Sequence, residues 1–167
     1  PSGAVVVICA GFGGVTNTVS GGTAGGLTLT IGSQGPTNTD QFNSVLWADA
    51  PSGLASGSTV TVNITGTGGS SRYCQGSYVT GLKTGGPSAI ATADSTTGAP
   101  WATGSVSVPT GDILIGSCMG GTTSTTNTPS GGNSEIIPEQ TIAADSAFVS
   151  EYQIGVGTSI ALSGTWG

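Results

Sequence analysis

The sequence predicts an all-β protein, an antiparallel, jelly-roll-like β-sandwich of about ten short strands, with residues 1–167 forming a single domain. Three observations lead to this prediction. Residues that favour helices are scarce, whereas 31 glycines and many threonines and valines are present. Short β-branched runs recur between Gly, Pro, Ser and Asn residues, which favour turns. Several of these runs alternate apolar and polar residues with a period of two.

The alternation is clearest in residues 26–32, 58–66 and 147–154. In the first two segments the predicted buried face carries Leu27, Leu29, Ile31, Val60, Val62 and Ile64. In the third segment Phe148, Tyr152 and Ile154 share the predicted buried face. Glu151 and Gln153 then share the face that we expect to contact water, as in an antiparallel sandwich.

Two runs, residues 5–10 and 113–115, are apolar almost throughout. We expect them to be central strands that are covered on both faces. The remaining predicted strands are residues 41–48, 72–80, 89–93, 104–108 and 158–163. Residues 32–40 and 122–140 are predicted to be long irregular loops, which in compact domains usually make functional contacts.

The charge balance argues against two classes of partner. Only 6% of the residues are charged, the net charge is −6, and the cations are Arg72 and Lys83. Binding to nucleic acid requires several Lys or Arg side chains that displace counterions from phosphates, and an anionic membrane surface makes a similar demand. The longest apolar run, residues 4–10, is far shorter than the roughly 20 residues that span a bilayer. We therefore expect neither nucleic acid nor a membrane as a partner.

The residues of the common catalytic sites are missing from the sequence. Histidine is absent, which removes Ser-His-Asp and Cys-His arrangements and most zinc sites. No G-x-S-x-G elbow, dinucleotide fingerprint or P-loop occurs. The eight acidic residues are dispersed, so a carboxylate pair of the glycosidase kind is not favoured either. We expect no enzymatic activity, no catalytic residues and no cofactor.

Three residues are candidate surface contacts: Trp101, Glu135 and Glu139. Trp101 follows Pro100 in an apparent loop and is the best candidate for an exposed aromatic side chain. It would either stack on a sugar or pack, within the domain or against a subunit. Glu135 and Glu139 lie in the second predicted loop, where Ca²⁺ between carboxylates is one alternative. No residue is assigned as a metal ligand.

The three cysteines are Cys9, Cys74 and Cys118, an odd number without C-x-x-C spacing, so zinc and redox motifs are absent. They are either buried small apolar residues or include one disulfide, for which Cys9 and Cys118 are the candidate pair.

The order of the strand and turn segments resembles that of a known group of domains. The segments are PSGAVVVICAGFGG, GLTLTIGSQ, FNSVLWADAPSGLASGSTVTVNIT, YVTGL, WATGSVSVPTGDILIGSCMGG, SAFVSEYQIG and TSIALSGTW, and they cover most of the chain. They are similar to the Gly/Thr-rich, jelly-roll-like β-sandwich domains of bacteriophage virion proteins and bacterial surface proteins. In such domains we expect a further strand before the Pro-Ser-Gly segment and another after the final Trp, and a neighbouring subunit is one source of both.

The resemblance implies a structural role on the virion surface or outside the cell, as a capsid decoration or a head or tail fibre domain. Its partners would be copies of itself and other virion or surface proteins. The alternative is a carbohydrate- or receptor-binding module of a phage tail fibre or bacterial surface protein, with glycans as partners. The first hypothesis predicts flat, hydroxyl-rich contacts between subunits, and the second predicts a concave site with an exposed Trp or Tyr.

Overall fold

A computed structural model of the chain describes residues 5–13, 18–34, 41–66, 72–81, 85, 101–120, 127–143 and 146–166. These residues form fifteen β-strands and contain no α-helix. The strands are β1 (Val5–Gly13), β2 (Thr18–Ala24), β3 (Leu27–Thr28), β4 (Thr30–Gln34), β5 (Gln41–Asp49), β6 (Val60–Thr65), β7 (Arg72–Val79), β8 (Trp101–Ala102), β9 (Val106–Val108), β10 (Ile113–Gly120), β11 (Asn127–Pro129), β12 (Ser134–Ala143), β13 (Ser146–Ile154), β14 (Thr158–Ile160) and β15 (Ser163–Trp166). The prediction of an all-β protein is confirmed. In the part of the chain that the structure describes, no helix has the length and apolar character needed to cross a membrane.

The strands pair antiparallel and form four main sheets that stack in layers. Sheet 1 has the order β3-β2-β6, sheet 2 β4-β5-β1-β7, sheet 3 β10-β13-β12 and sheet 4 β11-β15-β8, while β9 and β14 form a separate ribbon. Contacts of β2 with β4, of β10 with β5, and of β11 with β12 join the layers in that order. The antiparallel sandwich is therefore confirmed, and the jelly-roll connectivity stays a prediction.

The first apolar core lies between sheets 1 and 2. Its buried residues are Val19, Ala24, Leu29, Leu46, Ala48 and Ala50. Along β5 every second residue from Ser44 onward is buried and the residues between are half-buried. Both faces of β5 are covered. Sheet 1 packs on one face. On the other face, Asn43 Nδ2 donates a hydrogen bond to the backbone oxygen of Ser117 in sheet 3.

A two-residue turn joins β2 to β3 and closes one end of sheet 1. Ala24 pairs with Leu27, which leaves Gly25 and Gly26 as the turn, with φ of 55° and 88°. Two successive positive φ values match the right-handed twist of a hairpin, and glycine adopts them without a steric penalty. The Gly-Gly pair therefore determines the register that brings Ala24 into the first core.

A second apolar core lies between sheets 3 and 4. Its buried residues are Trp101, Cys118, Val149 and Leu162, and Leu114 and Trp166 pack against them. A Cβ atom at Gly116 would lie 2.8 Å from Leu162 Cδ1. Glycine at this position therefore lets the two sheets approach each other closely.

Most of the predicted strands that fall in described residues are confirmed. Segments 41–48, 58–66 and 72–80 correspond to β5, β6 and β7, and β1 is central as predicted, between β5 and β7. The faces predicted for residues 26–32 are also present, with Leu29 buried and the flanking threonines exposed. The predicted strand at residues 89–93 lies outside the described residues.

Four expectations about strands are wrong. The described residues form fifteen strands rather than about ten. Residues 113–115 belong to β10, which is an outer rather than a central strand among the described strands of sheet 3. All three residues are half-buried, and Leu114 packs against the second core. The predicted loop 122–140 contains β11 and the start of β12. Segment 158–163 is two strands, β14 and β15, in different sheets.

Candidate functional site

Glu151 forms the centre of a buried polar cluster between sheets 3 and 4. It lies on β13 and is completely buried, although the alternation of its strand predicted an exposed side chain. Its Oε1 accepts a hydrogen bond from Asn127 Nδ2 at 2.8 Å, and its Oε2 accepts one from Asn133 Nδ2 at 3.0 Å. We call Glu151, Asn127, Asn133 and Trp101 the Glu151 cluster.

The orientation of both amides is determined by their other partners. The indole Nε1 of Trp101 can only donate, and it bonds to Asn127 Oδ1 at 2.9 Å. Asn127 therefore turns its Nδ2 toward Glu151. Asn133 Nδ2 also donates, at 2.9 Å, to the backbone oxygen of Ser163, which can only accept. Glu151 must consequently accept a hydrogen bond at each carboxyl oxygen, as an ionised carboxylate does.

The backbone of β15 passes close to this cluster at Gly164. A Cβ atom there would lie 2.6 Å from Asn127 Oδ1 and 2.9 Å from Trp101 Nε1. Contacts that short do not occur in folded proteins without displacement of a neighbour. Glycine at position 164 is therefore the condition for the hydrogen bond between Trp101 and Asn127.

We expect Gly164→Ala to lower the free energy of unfolding by about 2 kcal/mol, because the new methyl group must displace Asn127 or Trp101. Urea titration followed by intrinsic fluorescence measures the change. The matched control is Thr165→Ala, at an exposed position of the same strand, which we expect to change stability by less than about 0.5 kcal/mol. Equal stability of the Gly164→Ala protein and the wild type would contradict the close approach of β15.

The two cysteines whose side chains are described are free thiols. Cys118 packs in the second core, where burial and, to a smaller extent, the Glu151 carboxylate raise the pKa of its thiol to about 12. Cys74 lies on an exposed face of β7, and desolvation raises the pKa of its thiol as well. The alternative of a disulfide between Cys9 and Cys118 is wrong, and the side chain of Cys9 lies outside the described residues.

Trp101 is not an exposed contact. It lies in β8 rather than in a loop, and only 3% of its surface is exposed. The reason is the pairing of β8 with β15. This pairing places the ring in the second core, where its N–H group donates a hydrogen bond to Asn127. The expectation of an exposed surface contact at Trp101 is therefore wrong, and the alternative of packing within the domain is correct.

Glu135 and Glu139 both lie in β12 and not in a loop. Glu135 is the register partner of Glu151 on β13, and a register shift follows it. The side chains of Glu135 and Glu139 lie outside the described residues, so their role as surface contacts stays a prediction. Among the residues with described side chains, no group of three acidic, Cys or His residues is arranged to hold a metal ion.

An open groove lies between sheets 2 and 3, at one end of both sheets. Its lining residues come from β7, β10, β12 and β13, and they are Ser77, Tyr78, Val79, Ile113, Ile115, Ile136 and Tyr152. The volume of the groove is about 410 Å³. We call it the tyrosine groove, because one tyrosine comes from each of the two sheets and none of the lining residues is charged.

A layer of contacts beneath the tyrosine groove joins the two sheets. Ser150 Oγ on β13 donates a hydrogen bond to Gln75 Oε1 on β7, and Gln75 Nε2 lies 3.5 Å from Ser77 Oγ. One layer further in, the rings of Tyr73 and Phe148 contact each other with a centroid distance of 4.6 Å. These contacts determine how far apart the walls of the groove are.

The described surface carries very few charges. Only four described side chains are ionisable acids or cations, namely Asp49, Arg72, Asp112 and Glu151, and of these only Arg72 and Asp112 are exposed. Large apolar side chains are exposed instead, between 37% and 66% of their surface: Val60, Tyr78, Ile154 and Val156. Ile154 pairs with Ile113 of the tyrosine groove, so the apolar surface extends beyond the groove.

Sequence reasoning missed the residues that the structure brings together. Asn127 and Asn133 are separated from Glu151 by 24 and 18 positions and were assigned to a loop. Tyr78 and Tyr152 lie on strands that the sequence predicted, but nothing in the sequence indicates that the ends of β7 and β13 adjoin. In the comparisons with known proteins, no family model, curated protein or solved structure matches the chain.

Proposed function

We propose that the protein is a non-enzymatic structural component of a bacteriophage virion, a capsid decoration or a head or tail fibre domain on the virion surface. In this role it assembles with copies of itself and with other virion proteins. The observation that carries the proposal is the described surface, which exposes large apolar side chains but only two charged ones, Arg72 and Asp112.

The physical argument concerns the cost of removing a surface from water. Burying a charged side chain in a contact costs several kcal/mol unless it is well paired. The cores of protein interfaces are accordingly depleted in charged residues and enriched in aromatic ones. A surface that exposes Tyr78, Ile154 and Val156, with Asp112 as a described charge beside the last two, is therefore suited to being covered by another subunit.

The layered fold supports the same role. The first core joins sheets 1 and 2, and the second core and the Glu151 cluster join sheets 3 and 4. Sheets 2 and 3 are joined by the Ser150–Gln75 hydrogen bond and the Tyr73–Phe148 ring contact. Such a protein is expected to be rigid, and its exposed glycine, serine and threonine residues offer an uncharged surface for neighbours. The resemblance of its segments to virion domains also supports a structural role, and it is the reason that we propose a bacteriophage particle.

The proposal is tested by the assembly of the purified protein. We expect light scattering coupled to gel filtration to show oligomers that grow with concentration, and the purified protein to attach to phage particles that lack it. Val156→Asp and Ile154→Asp should reduce both, because each introduces a charge into the exposed apolar surface. The matched control is Ser52→Asp, which adds the same charge at an exposed turn position.

A monomer at every concentration, together with failure to attach to any particle, would refute the proposal. An assembly that survives both Asp variants would place the subunit contact elsewhere and would remove the observation on which the proposal rests. Circular dichroism and thermal melting of each variant show whether a loss of assembly comes from unfolding instead.

A further inference from the structure

The described strands of the two halves of the chain have the same arrangement. In the first half β4, β5 and β1 lie side by side in sheet 2, and in the second half β12, β13 and β10 lie side by side, in the same order, in sheet 3. The outer sheets agree as well, since β2 pairs with β6 in sheet 1 and β11 pairs with β15 in sheet 4. In this correspondence the strands also follow one another in the same order along the chain, and β10 takes the place of β1.

Two local features of the sequence repeat as well. A Pro-Ser-Gly segment at residues 1–3 precedes β1, and a Pro-Thr-Gly segment at residues 109–111 precedes β10. A pair of glycines with positive φ follows β2, at residues 25–26, and another follows β11, at residues 131–132. These agreements indicate that one β-sandwich unit occurs twice, so the first half shows what a given position of the second half accepts.

The two halves differ at the position beside β10. In sheet 2, β1 pairs with β5 on one side and with β7 on the other. In sheet 3, β10 pairs with β13 on one side, and none of the described strands lies on the other side. The position that β7 fills beside β1 is therefore open beside β10 among the described strands.

The hydrogen bonds of β10 show which of its backbone groups face this open position. The N–H of Gly155 donates to the backbone oxygen of Asp112 at 2.7 Å, directly before the paired residues of β10 and β13. Hydrogen-bonded and non-hydrogen-bonded pairs alternate along an antiparallel ladder, so Leu114 and Gly116 bond toward β13. The backbone groups that face away from β13 are those of Ile113, Ile115, Ser117 and Met119, which we call the β10 edge.

Sheet 2 covers the β10 edge on one face. β10 stacks on β5 and β1, whereas β12 and β13 contact β7. β4 lies beyond β5 in sheet 2 and therefore extends past β10, over the open position. Asn43 Nδ2 donates a hydrogen bond to the backbone oxygen of Ser117 from β5, which agrees with an outward-facing carbonyl beneath sheet 2. Because of this overhang, the open position has room for one extended segment but not for the edge of a folded domain.

The surroundings of the β10 edge favour a partner that forms hydrogen bonds. Ser117, in the middle of the edge, is only 6% exposed, and its Oγ is buried without a hydrogen-bond partner among the described groups. Backbone N–H and C=O groups that are buried without a partner destabilise a fold. A strand that pairs with β10 supplies these partners along the whole edge.

The composition of the neighbouring strands indicates the chemistry of the segment that fits. β10 has no charged residue, and β7, the strand in the corresponding position of the first half, has only Arg72 at its start. A charged side chain of an added strand would be buried against sheet 2, which costs several kcal/mol without a partner. We propose that the β10 edge binds an extended, uncharged segment of a neighbouring polypeptide chain, which pairs antiparallel with β10 as β7 pairs with β1.

This site is separate from the exposed apolar side chains that carry the proposed function, because it consists of backbone groups along one strand. The two proposals can therefore fail independently. Assembly through Ile154 and Val156 is tested by the Asp variants above, and strand addition is tested by the exchange of single amides.

The test uses the full chain and a synthetic peptide with the sequence of β7, in which serine replaces the cysteine. Amide hydrogen exchange is followed by NMR with and without the peptide. Without it, we expect the outward amides of Ile115 and Ser117 to exchange faster than the inward amides of Leu114 and Gly116. With the peptide, the two outward amides should exchange at least about tenfold more slowly, and the two inward amides should not change.

The variant Ile115→Pro removes one outward N–H group and no hydrogen bond between β10 and β13. Proline is tolerated in a strand when its missing N–H faces an open edge, so we expect this protein to remain folded by circular dichroism and to bind the peptide at least about tenfold more weakly. The matched control Ile115→Val keeps the N–H group and should bind normally. A peptide that is N-methylated at alternate residues tests the same hydrogen bonds from the other strand, without any change to the protein.

Three results would overturn the inference. Outward amides that are as protected as the inward ones in the chain alone would show that the chain covers this edge itself. Absence of added protection at about 1 mM peptide would mean less than about 4 kcal/mol of binding free energy. Equal binding of the N-methylated peptide, or protection that appears on another strand, would show that the backbone of β10 is not the site.

Discussion

Replacement of Trp101 by alanine is expected to lower the free energy of unfolding by about 4 kcal/mol, the largest effect of any single substitution considered for this chain. The side chain is 97% buried in the core between sheets 3 and 4, so its loss leaves a large cavity beside Leu162 and Val149. It also removes the indole N–H that donates a hydrogen bond to Asn127 Oδ1. The measurement is urea or thermal unfolding, in which the midpoint temperature should fall by about 10 °C.

Two further variants separate the effect of losing the buried ring from the effect of losing the N–H group. Trp101→Phe keeps an aromatic ring in the core but deletes the N–H group, and it should cost about 1–2 kcal/mol. Tyr78→Ala truncates an aromatic side chain of similar size that is 44% exposed, and it should change stability far less. If Trp101→Ala proved as stable as Tyr78→Ala, the tryptophan would be a surface residue and its place in the second core would be wrong.

Replacement of Glu151 by glutamine is expected to destabilise the protein by about 2 kcal/mol, even though the two side chains have nearly the same shape. Asn127 and Asn133 both present N–H groups to the carboxylate. Neither amide can turn over, because Trp101 and the Ser163 carbonyl hold them. Glutamine would place its own N–H₂ group against one of these donors, which loses a charge-assisted hydrogen bond and leaves a buried donor without an acceptor.

The removal of a buried charge opposes this loss, because a neutral side chain is easier to desolvate. We expect the cost of the unmatched N–H donors to exceed the gain from easier desolvation, since both carboxyl oxygens of Glu151 accept hydrogen bonds. The matched control is Asp112→Asn, which makes the same chemical change at an exposed site and should alter stability by less than about 0.5 kcal/mol. A Glu151→Gln protein that is as stable as the wild type or more stable would show that desolvation outweighs the hydrogen bonds.

The local pattern of the sequence predicted strands well where each strand obeys its own periodicity. In β5 the alternate burial of Ser44, Leu46 and Ala48 follows from a period of two, which does not depend on what covers the strand. The turn at Gly25 and Gly26 is another local feature, because its positive φ values are a property of the two residues themselves. Such features can be predicted from sequence because neighbours along the chain determine them.

The candidate site could not be predicted in the same way. The prediction that Glu151 faces water assumed that sheet 3 has one open face, as a two-layer sandwich would. In the structure sheet 4 covers that face, and Asn127 and Asn133 meet the carboxylate there. The same layer buries Trp101, which explains why a tryptophan next to a proline in an apparent loop became a core residue.

The sequence alone determined the all-β class, the positions of most strands and the charge-poor composition, because these depend on residue type and on spacing along the chain. Only the tertiary structure decided which strand faces meet water, where the Glu151 cluster forms, and that Tyr78 and Tyr152 share one groove. These features arise from contacts between residues that are 18 to 75 positions apart. Periodicity specifies which side of a strand a residue occupies, but the stacking of sheets determines what that side contacts.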